Sequence, residues 1–390
     1  MNDTTEDNPI NQVMELLIEH GFGGMDQVMT ILINEAMKIE RAGVLRAQAY
    51  ERTPDRQGHA NGYKPKNVKS RLGHLGLQVP QVRGDVEFYP SALEKGERSE
   101  RALKLAMAEM YIKGVTTRKV SGVLQKLCGL DFSSADVSRA SALLDEELDL
   151  WRTRPIGEVA YLMLDARYEK VRMNGSVVSC AVLVATGVLA ADGKRSVLGV
   201  AVSMSEAEVH WRDFLLSLKK RGMHGVKLVT SDDHSGLRAA LESSMPGVAW
   251  QRCQVHLQRN ATAYVPKVDL REVVAADIRS IFNAPDREEA DRLLAKTIEK
   301  YSKTAGRLAV WMEENIPEGL AVFALPEKHR RRLRTTNMVE RQNREIKRRT
   351  RVSGLFPNEA SLLRLVSAIL MEVSEDWESA DKAYLKMKAD

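Results

Sequence analysis

VAYLMLDARYEKVRMNGSVVSCAVLVATGVLAADGKRSVLGVAVS, residues 159–203, is where the chain turns from helical to strand periodicity. Within it VAYLMLDARYEKVR, SVVSCAVLVATGVLA and SVLGVAVS are rich in β-branched residues, and Asn174-Gly175 and Asp192-Gly193 separate them. Both dipeptides accept the positive φ that a tight hairpin turn demands, so the spacing predicts three antiparallel strands in succession. Downstream, EAEVHWRDFLLSLKKRG predicts a helix, VKLVTSD a buried strand, SGLRAALESS a second helix and VAWQRC another strand. Residues 257–325 then follow helical periods only, with Pro317 and Pro326 near their end.

The order β-β-β-α-β-α-β is that of an α/β fold built on a ribonuclease H-like mixed sheet, followed by an all-α insertion. The expected divisions are a catalytic core over 151–256, the insertion over 257–330 and returning core helices over 331–390. Upstream lies a helical region expected to bind DNA and to dimerise. Its first part, 1–50, carries an apolar stripe (Met29, Leu32, Ile33, Ala36, Ile39, Ala42) on a helix spanning Met25 to Tyr50, and dimerisation is one outlet for it. Residues 51–98 are punctuated by Gly and Pro and read as a basic loop, an arm or a small β element, with Arg56, Lys64, Lys66, Lys69 and Arg71 placed for phosphate contact. Residues 99–150 read as three helical pieces, the third running from a Ser133 cap to Trp151. These pieces fit a helix-turn-helix, with Ser134, Asp136, Ser138 and Arg139 facing base edges and Arg118 and Lys119 among the DNA-binding residues. They fit an ordinary helical bundle linking two domains equally well.

At 390 residues and 43.7 kDa, the chain is long enough for two or three domains. Its 44% hydrophobic and 28% charged residues fit neither a disordered nor a membrane chain. The net charge of +5 hides a segregation. Residues 328–351 carry eleven Lys/Arg against two Glu, and residues 52–83 carry seven against one Asp, which leaves the rest of the chain at −10. Two basic segments on an acidic background point to a nucleic-acid binder more than to a generic basic enzyme, and no run approaches the roughly eighteen apolar residues of a membrane span. Three scattered cysteines and an acidic, polar MNDTTEDNPI start lead us to expect a reducing cytoplasm and no secretory leader.

Asp165 is expected to close the first strand and Asp232 the fourth, so that neighbouring strands deliver two carboxylates to one sheet edge. Asp233 is a rival for Asp232, because periodicity does not fix the last residue of a strand. A third carboxylate comes from NMVERQNREIKRR, a helix that Thr335, Thr336 and Asn337 would cap and that carries Glu340, Arg344 and Lys347 on one face. Three hard oxygen donors suit two Mg²⁺ ions, with Mn²⁺ as substitute, for an in-line phosphodiester displacement. Arg344, Lys347, Arg348 and Arg349 would hold the DNA backbone beside them.

LDARYEKVRMNG, VTSDDHSGLRAA, WQRCQVHLQRN and TTNMVERQNREIKRRTRVSGLFPN follow in order, with MYIKGVTTRKV and LCGLDFSSADVSR upstream. On these motifs the chain resembles bacterial insertion-sequence transposases of the Mutator superfamily, which are DDE transposases. The resemblance implies Asp165, Asp232 and Glu340 as catalytic triad and metal ligands. It further implies terminal inverted repeats and target DNA as substrates, 3′-end nicking and strand transfer, and a circular excised intermediate. Asp233 stands where that family has a small residue. The family's Cys-x-x-His is present as Cys253 and His256, but a closed zinc site needs four ligands and no second pair lies near in sequence. The pair is read as structural or as lining the active site. A Ser231-His234-Asp232 hydrolase fails because neighbouring strand residues face opposite ways and no nucleophile elbow is present. A non-catalytic DNA-binding regulator and a structure-selective nuclease on the same fold are the competing functions. The protein is expected in the bacterial cytoplasm, at the nucleoid when DNA-bound, and as a homodimer.

Overall fold

The computed structural model describes residues 8–387, which form two compact units divided between Leu143 and Leu144. Of the acidic first ten residues, 1–7 lie outside the described residues.

In the first unit, α1 (Pro9–His20) is capped by Asn8, whose Oδ1 accepts the Ile10 N–H. The next helix, α2 (Met25–Leu45), stops short of Tyr50 because Arg46 turns left-handed at φ 51°. Residues 59–83 form an antiparallel hairpin of β1 (His59–Ser70) and β2 (Gly73–Arg83). Leu75 and Leu77 of β2 are buried against Met29, Ile33 and Met37 of α2. Part of the α2 stripe therefore finds its outlet within the chain, while Leu32 and Ile39 stay exposed, as do Ile10, Ile18 and Phe22 nearer the N-terminus. Then come α3 (Arg101–Ile112), α4 (Thr117–Cys128) and α5 (Ser134–Ser141), which close around Leu103, Met107, Val120, Leu124, Phe132 and Val137. Thr116 caps α4, Gly129 ends it at φ 65°, and Ser133 with Asp136 forms a reciprocal capping box on α5. The single helix expected from Ser133 to Trp151 is broken after Ser141. A 3₁₀ turn intervenes and a new helix, α6 (Asp145–Thr153), begins with Asp145, Glu146 and Glu147 in its first turn, where acidic groups favour a helix N-terminus.

The second unit, to which α6 belongs, is a mixed α/β structure. Its sheet contains β3 (Val159–Met173), β4 (Ser176–Leu189), β5 (Arg195–Ser203), β6 (Leu228–Ser231) and β7 (Ala249–Arg252) in the order β5-β4-β3-β6-β7. The first three pair antiparallel, and β6 and β7 add in parallel. Asn174 and Gly175 both take positive φ, 48° and 82°, as a two-residue hairpin turn requires. Between strands run α7 (Glu208–Lys220) and α8 (Ser235–Ser244), which cover one face with Trp211, Phe214, Leu215 and Leu237 against Leu162, Leu164 and Leu183.

The other face is covered by later helices. These are α9 (Gln254–Ala261), α10 (Arg271–Phe282), α11 (Arg287–Ser302), α12 (Gly306–Asn315), α13 (Glu327–Leu333) and α14 (Asn337–Ser353), followed by α15 (Glu359–Glu378). Val274, Ile278, Leu308, Met312, Met338 and Val339 join Tyr161, Met163 and Leu228 in one core, so the helical segment after β7 packs directly on the sheet. Covered on both sides, β3 is buried continuously from Val159 to Leu164, which accounts for its unbroken apolar run. Among the described residues no helix is long and apolar enough to cross a membrane.

Candidate active site

The parallel register between β3 and β6 ends at Met163 opposite Thr230. Asp165 and Asp232 each lie two residues beyond that last pair, so the two acids sit level where the buried sheet gives way to solvent. Asp165 does not close its strand, as the sequence suggested. Its strand runs on to Met173 because β4 continues to pair with it after β6 has stopped.

Asp165 is the most enclosed of the acids. Its Oδ1 accepts the Ala166 N–H at 2.9 Å and its Oδ2 accepts Asn343 Nδ2 at 2.6 Å. Burial pushes its carboxyl up to about 6, with the Ala166 N–H and the His256 cation opposing and Asp232 and Glu206 adding to the rise. Glu206 reaches the neighbourhood because Gly236 has no side chain: a Cβ there would stand 2.2 Å from the Glu206 carbonyl oxygen. The Asp232 side chain is about half exposed and its Oδ1 accepts the Asp233 N–H at 2.8 Å.

His256 joins the other two acids. Its Nδ1 lies 3.6 Å from Asp232 Oδ1 and its Nε2 lies 3.5 Å from Glu340 Oε1. The adjacent Cys253 sulfur, against the cost of burial, and then the two carboxylates push its imidazole up to about 9, so the ring is a cation at neutral pH. Cys253 is buried at the start of α9, and its Sγ accepts both the N–H and the hydroxyl of Thr336 at 3.4 Å. Burial opposes its ionisation, but hydrogen bonds from His256 and Thr336 outweigh that and hold the thiol below its ordinary value. Thr336 is the N-cap of α14 by position, yet its hydroxyl does not cap the helix as expected, because it is turned to this sulfur. The Cys-x-x-His pair thus ties the start of the Glu340 helix to the Asp232 strand end.

Asp233 is drawn elsewhere. Its Oδ2 lies 3.1 Å from Arg252 Nη1 and its Oδ1 3.7 Å from Arg238 Nη1, and both arginines also bind Glu318 at 2.9 Å. Arg252 is only 5% exposed and anchors this partly buried ion cluster, which separates Asp233 in role from its neighbour. Asp233, the rival for Asp232 in the sequence, thus has its charge taken up by two guanidinium groups.

Along α14, Gln342 Oε1 accepts the Thr186 hydroxyl of β4, the Asn343 carbonyl accepts Arg167 Nη1, and the Thr350 hydroxyl binds Glu169. These bonds seat the helix across β3 and β4 with Glu340 at the acid end. Its second glutamate, Glu345, is held down to about 2 by Arg348 and Arg349 and serves as an ion-pair partner.

Among the described residues no group of three or more His, Cys, Asp or Glu side chains is closed enough to hold a metal ion. The chemistry of the donors nevertheless suits a hard cation. Magnesium takes one or two carboxylates and keeps several waters, so Asp165, Asp232 and Glu340 fit it by donor type without forming a closed cage.

The family model for the Mutator family of transposases matches residues 4–380. The chain belongs to the Mutator family of transposases. Among curated relatives it is 55% identical to the transposase for insertion sequence element IS406 of Burkholderia multivorans, over 97% of this chain and 98% of that one. It is 43% identical to the transposase for insertion sequence element ISRM5 of Rhizobium meliloti, over 93% and 91%. A third relative, the transposase for insertion sequence element IS256 in transposon Tn4001 of Staphylococcus aureus, is 36% identical over 92% of each chain. Among solved structures, a chain of the Drosophila P element transposase strand transfer complex matches at 10% identity and a TM-score of 0.31, over 78% of this chain and 84% of that one.

Within this Mutator-family chain the basic residues expected at DNA divide into exposed and committed groups. Arg344 and Lys347 are exposed, lie on the Glu340 face of α14, and make no ion pair among the described residues. Arg348 is exposed but paired with Glu345. Arg349 is corrected: its side chain is 8% exposed and bound to Glu345 and Glu372, so it holds α14 to α15 and does not face DNA. In the first unit Lys64, Arg118 and Lys119 are exposed. Lys66 binds Tyr89 and the Glu94 carbonyl, Lys69 binds the Asp131 carbonyl over the Phe132 ring, and Arg71 pairs with Glu100. Arg139 pairs with Asp136, which the α5 capping box already holds, and Ser134 Oγ accepts the Thr117 hydroxyl. Ser138 is half-buried. Asn343, Arg252 and Glu206 were not anticipated. Only Asn343 carried a signal, its position one helical turn after Glu340.

Proposed function

We propose that this chain is the DNA transposase of a bacterial insertion sequence, and that its second unit is a ribonuclease H-like catalytic domain working by the DDE two-metal route. The observation that carries this is the level placement of Asp165 and Asp232 just beyond the last parallel pair of β3 and β6, with Glu340 brought to the same place and joined to Asp232 through His256. Asp165, Asp232 and Glu340 would hold Mg²⁺, or Mn²⁺ in its place, which when bound supplies charge stabilisation for the attacking and leaving oxygens. Arg344 and Lys347 hold the scissile phosphate's strand beside the acids. Water attacks phosphorus at the element's end and the 3′ oxygen leaves with a proton. That 3′-hydroxyl then attacks a target phosphodiester, one phosphorus–oxygen bond forming as another breaks. Cys253 and His256 serve this site as the pair that fixes its acids, not as a zinc site.

The first unit is read as the binder of terminal inverted repeats, with α3 to α5 as a helix-turn-helix and the hairpin's exposed Lys64 on the backbone. The apolar side chains left exposed on α1 and α2 are read as a homodimer contact, and the protein as cytoplasmic, joining the nucleoid when DNA-bound.

The test uses duplexes taken from the DNA flanking the gene. Asp165→Asn, Asp232→Asn and Glu340→Gln should each bind those ends as the wild type does and fail to cut them in Mg²⁺. Cutting retained in any of the three overturns the triad.

A further inference from the structure

Asp165, Arg167 and Glu169 alternate along β3 and so share one face of the strand, and α14 answers each of them. Asn343 Nδ2 donates to Asp165 Oδ2 at 2.6 Å, Arg167 Nη1 donates to the Asn343 carbonyl at 3.1 Å, and the Thr350 hydroxyl donates to Glu169 Oε1 at 2.9 Å. Arg167 and Glu169 are also paired with each other at 2.6 Å, which closes the circuit. Asn343 therefore meets β3 through its side chain and its backbone at once. It stands one helical turn from Glu340, so the bond that fixes Asp165 also fixes the rotation and axial position of the helix presenting Glu340. A slide of α14 by one residue, about 1.5 Å, would break it.

A second feature argues against a mere tether. Asn343 Oδ1 is shielded from solvent and has no hydrogen-bond partner among the described residues, whereas the large majority of buried side-chain polar atoms have one. The unmet acceptor lies on the amide whose other end already holds an acid of the site.

We infer that Asn343 is a positioning residue of the active site: through its 2.6 Å bond to Asp165 it sets the spacing between Asp165 and Glu340 that a divalent cation must meet. This rests on the triad reading above. Groups that orient ligands typically change metal affinity or activity by about 10- to 100-fold when removed, and that is the range expected here.

The experiment compares full-length wild type, Asn343→Ala, Asn343→Ser and Asp165→Asn. Mn²⁺ binding to the DNA-free protein is measured by titration calorimetry, end binding by fluorescence anisotropy in EDTA, and cutting of the flanking duplex across a Mg²⁺ series. Asn343→Ala should bind Mn²⁺ about 10-fold or more weakly, need correspondingly more Mg²⁺ for half-maximal cutting, and bind DNA ends unchanged. Asn343→Ser, which keeps a small donor, should recover part of both losses. If Asn343→Ala unfolds below the assay temperature, the serine variant decides alone, with weakened Mn²⁺ binding in a folded protein expected. Wild-type Mn²⁺ affinity and Mg²⁺ response in the folded variants would overturn the inference. Asp165→Asn separates the two claims: if it is inactive while the Asn343 variants behave as wild type, only the role of Asn343 falls, whereas an active Asp165→Asn removes the triad itself.

Discussion

Asp165→Asn exchanges a buried carboxyl, pushed from 3.8 up to about 6 chiefly by burial, for a neutral group of the same shape. A folded-state value above the unfolded one means that the native protein holds the proton more tightly. Its stability therefore falls as pH rises from about 4 to beyond 6, and the ionised acid is carried at a cost above that window. The shift of roughly two units corresponds to about 3 kcal/mol. The asparagine variant does not titrate, so the difference in unfolding free energy between wild type and variant should move by about 3 kcal/mol in the variant's favour across that range. Tryptophan fluorescence during urea unfolding suits the measurement, because Trp151, Trp211, Trp250, Trp311 and Trp377 all lie in the second unit. Mn²⁺ added at pH 7 should then stabilise the wild type and not the variant, since only the former offers the charged ligand. A difference that stays flat between pH 4 and 7, or that moves in favour of the wild type, would refute the reasoning.

Changing Arg344 and Lys347 together to Gln should lower the slope of log affinity for DNA ends against log salt by about 2, while Arg349→Met should leave that slope alone and cost about 1 kcal/mol of stability by removing its ion pairs with Glu345 and Glu372. Arg252→Met leaves Asp233 and Glu318 with Arg238 alone and should destabilise the second unit by about 1–3 kcal/mol in the same urea assay. The His256 cation, raised from 6.5 to about 9, contributes stability that is complete below pH 6.5 and lost as pH rises through 9, so His256→Gln should flatten the fall in melting temperature over that interval.

How far the sequence spoke depends on where each partner lay. Asn174-Gly175 announced its hairpin because a two-residue turn needs positive φ at both positions, a local demand. The continuous apolar run into Asp165 announced a strand covered on both faces. Asp232 and Glu340 were legible as residues, since one follows a short apolar strand and the other sits in a helix whose charges fall on one side. What was hidden depended on contacts between distant segments. Asp233 and Asp232 look alike until Arg252, beyond the next helix, claims one of them. Arg349 reads as solvated within KRRTR, and only α15, with Glu372, draws it inside. Thr336 reads as a cap until Cys253 takes its hydroxyl. The α2 stripe read as a dimer contact because the periodicity of a helix reports that a face must be covered, not by what, and β2 covers part of it.

The two glutamates of α14 separate the proposed triad from a mere ion-pair role most directly. Cutting of the flanking duplex in Mg²⁺ by Glu340→Gln and by Glu345→Gln compares two acids on one helix, one joined to His256 and the other held by Arg348 and Arg349. Loss of cutting in the first with end binding intact, and retained cutting in the second, is the predicted result. Cutting that survives in Glu340→Gln would contradict it.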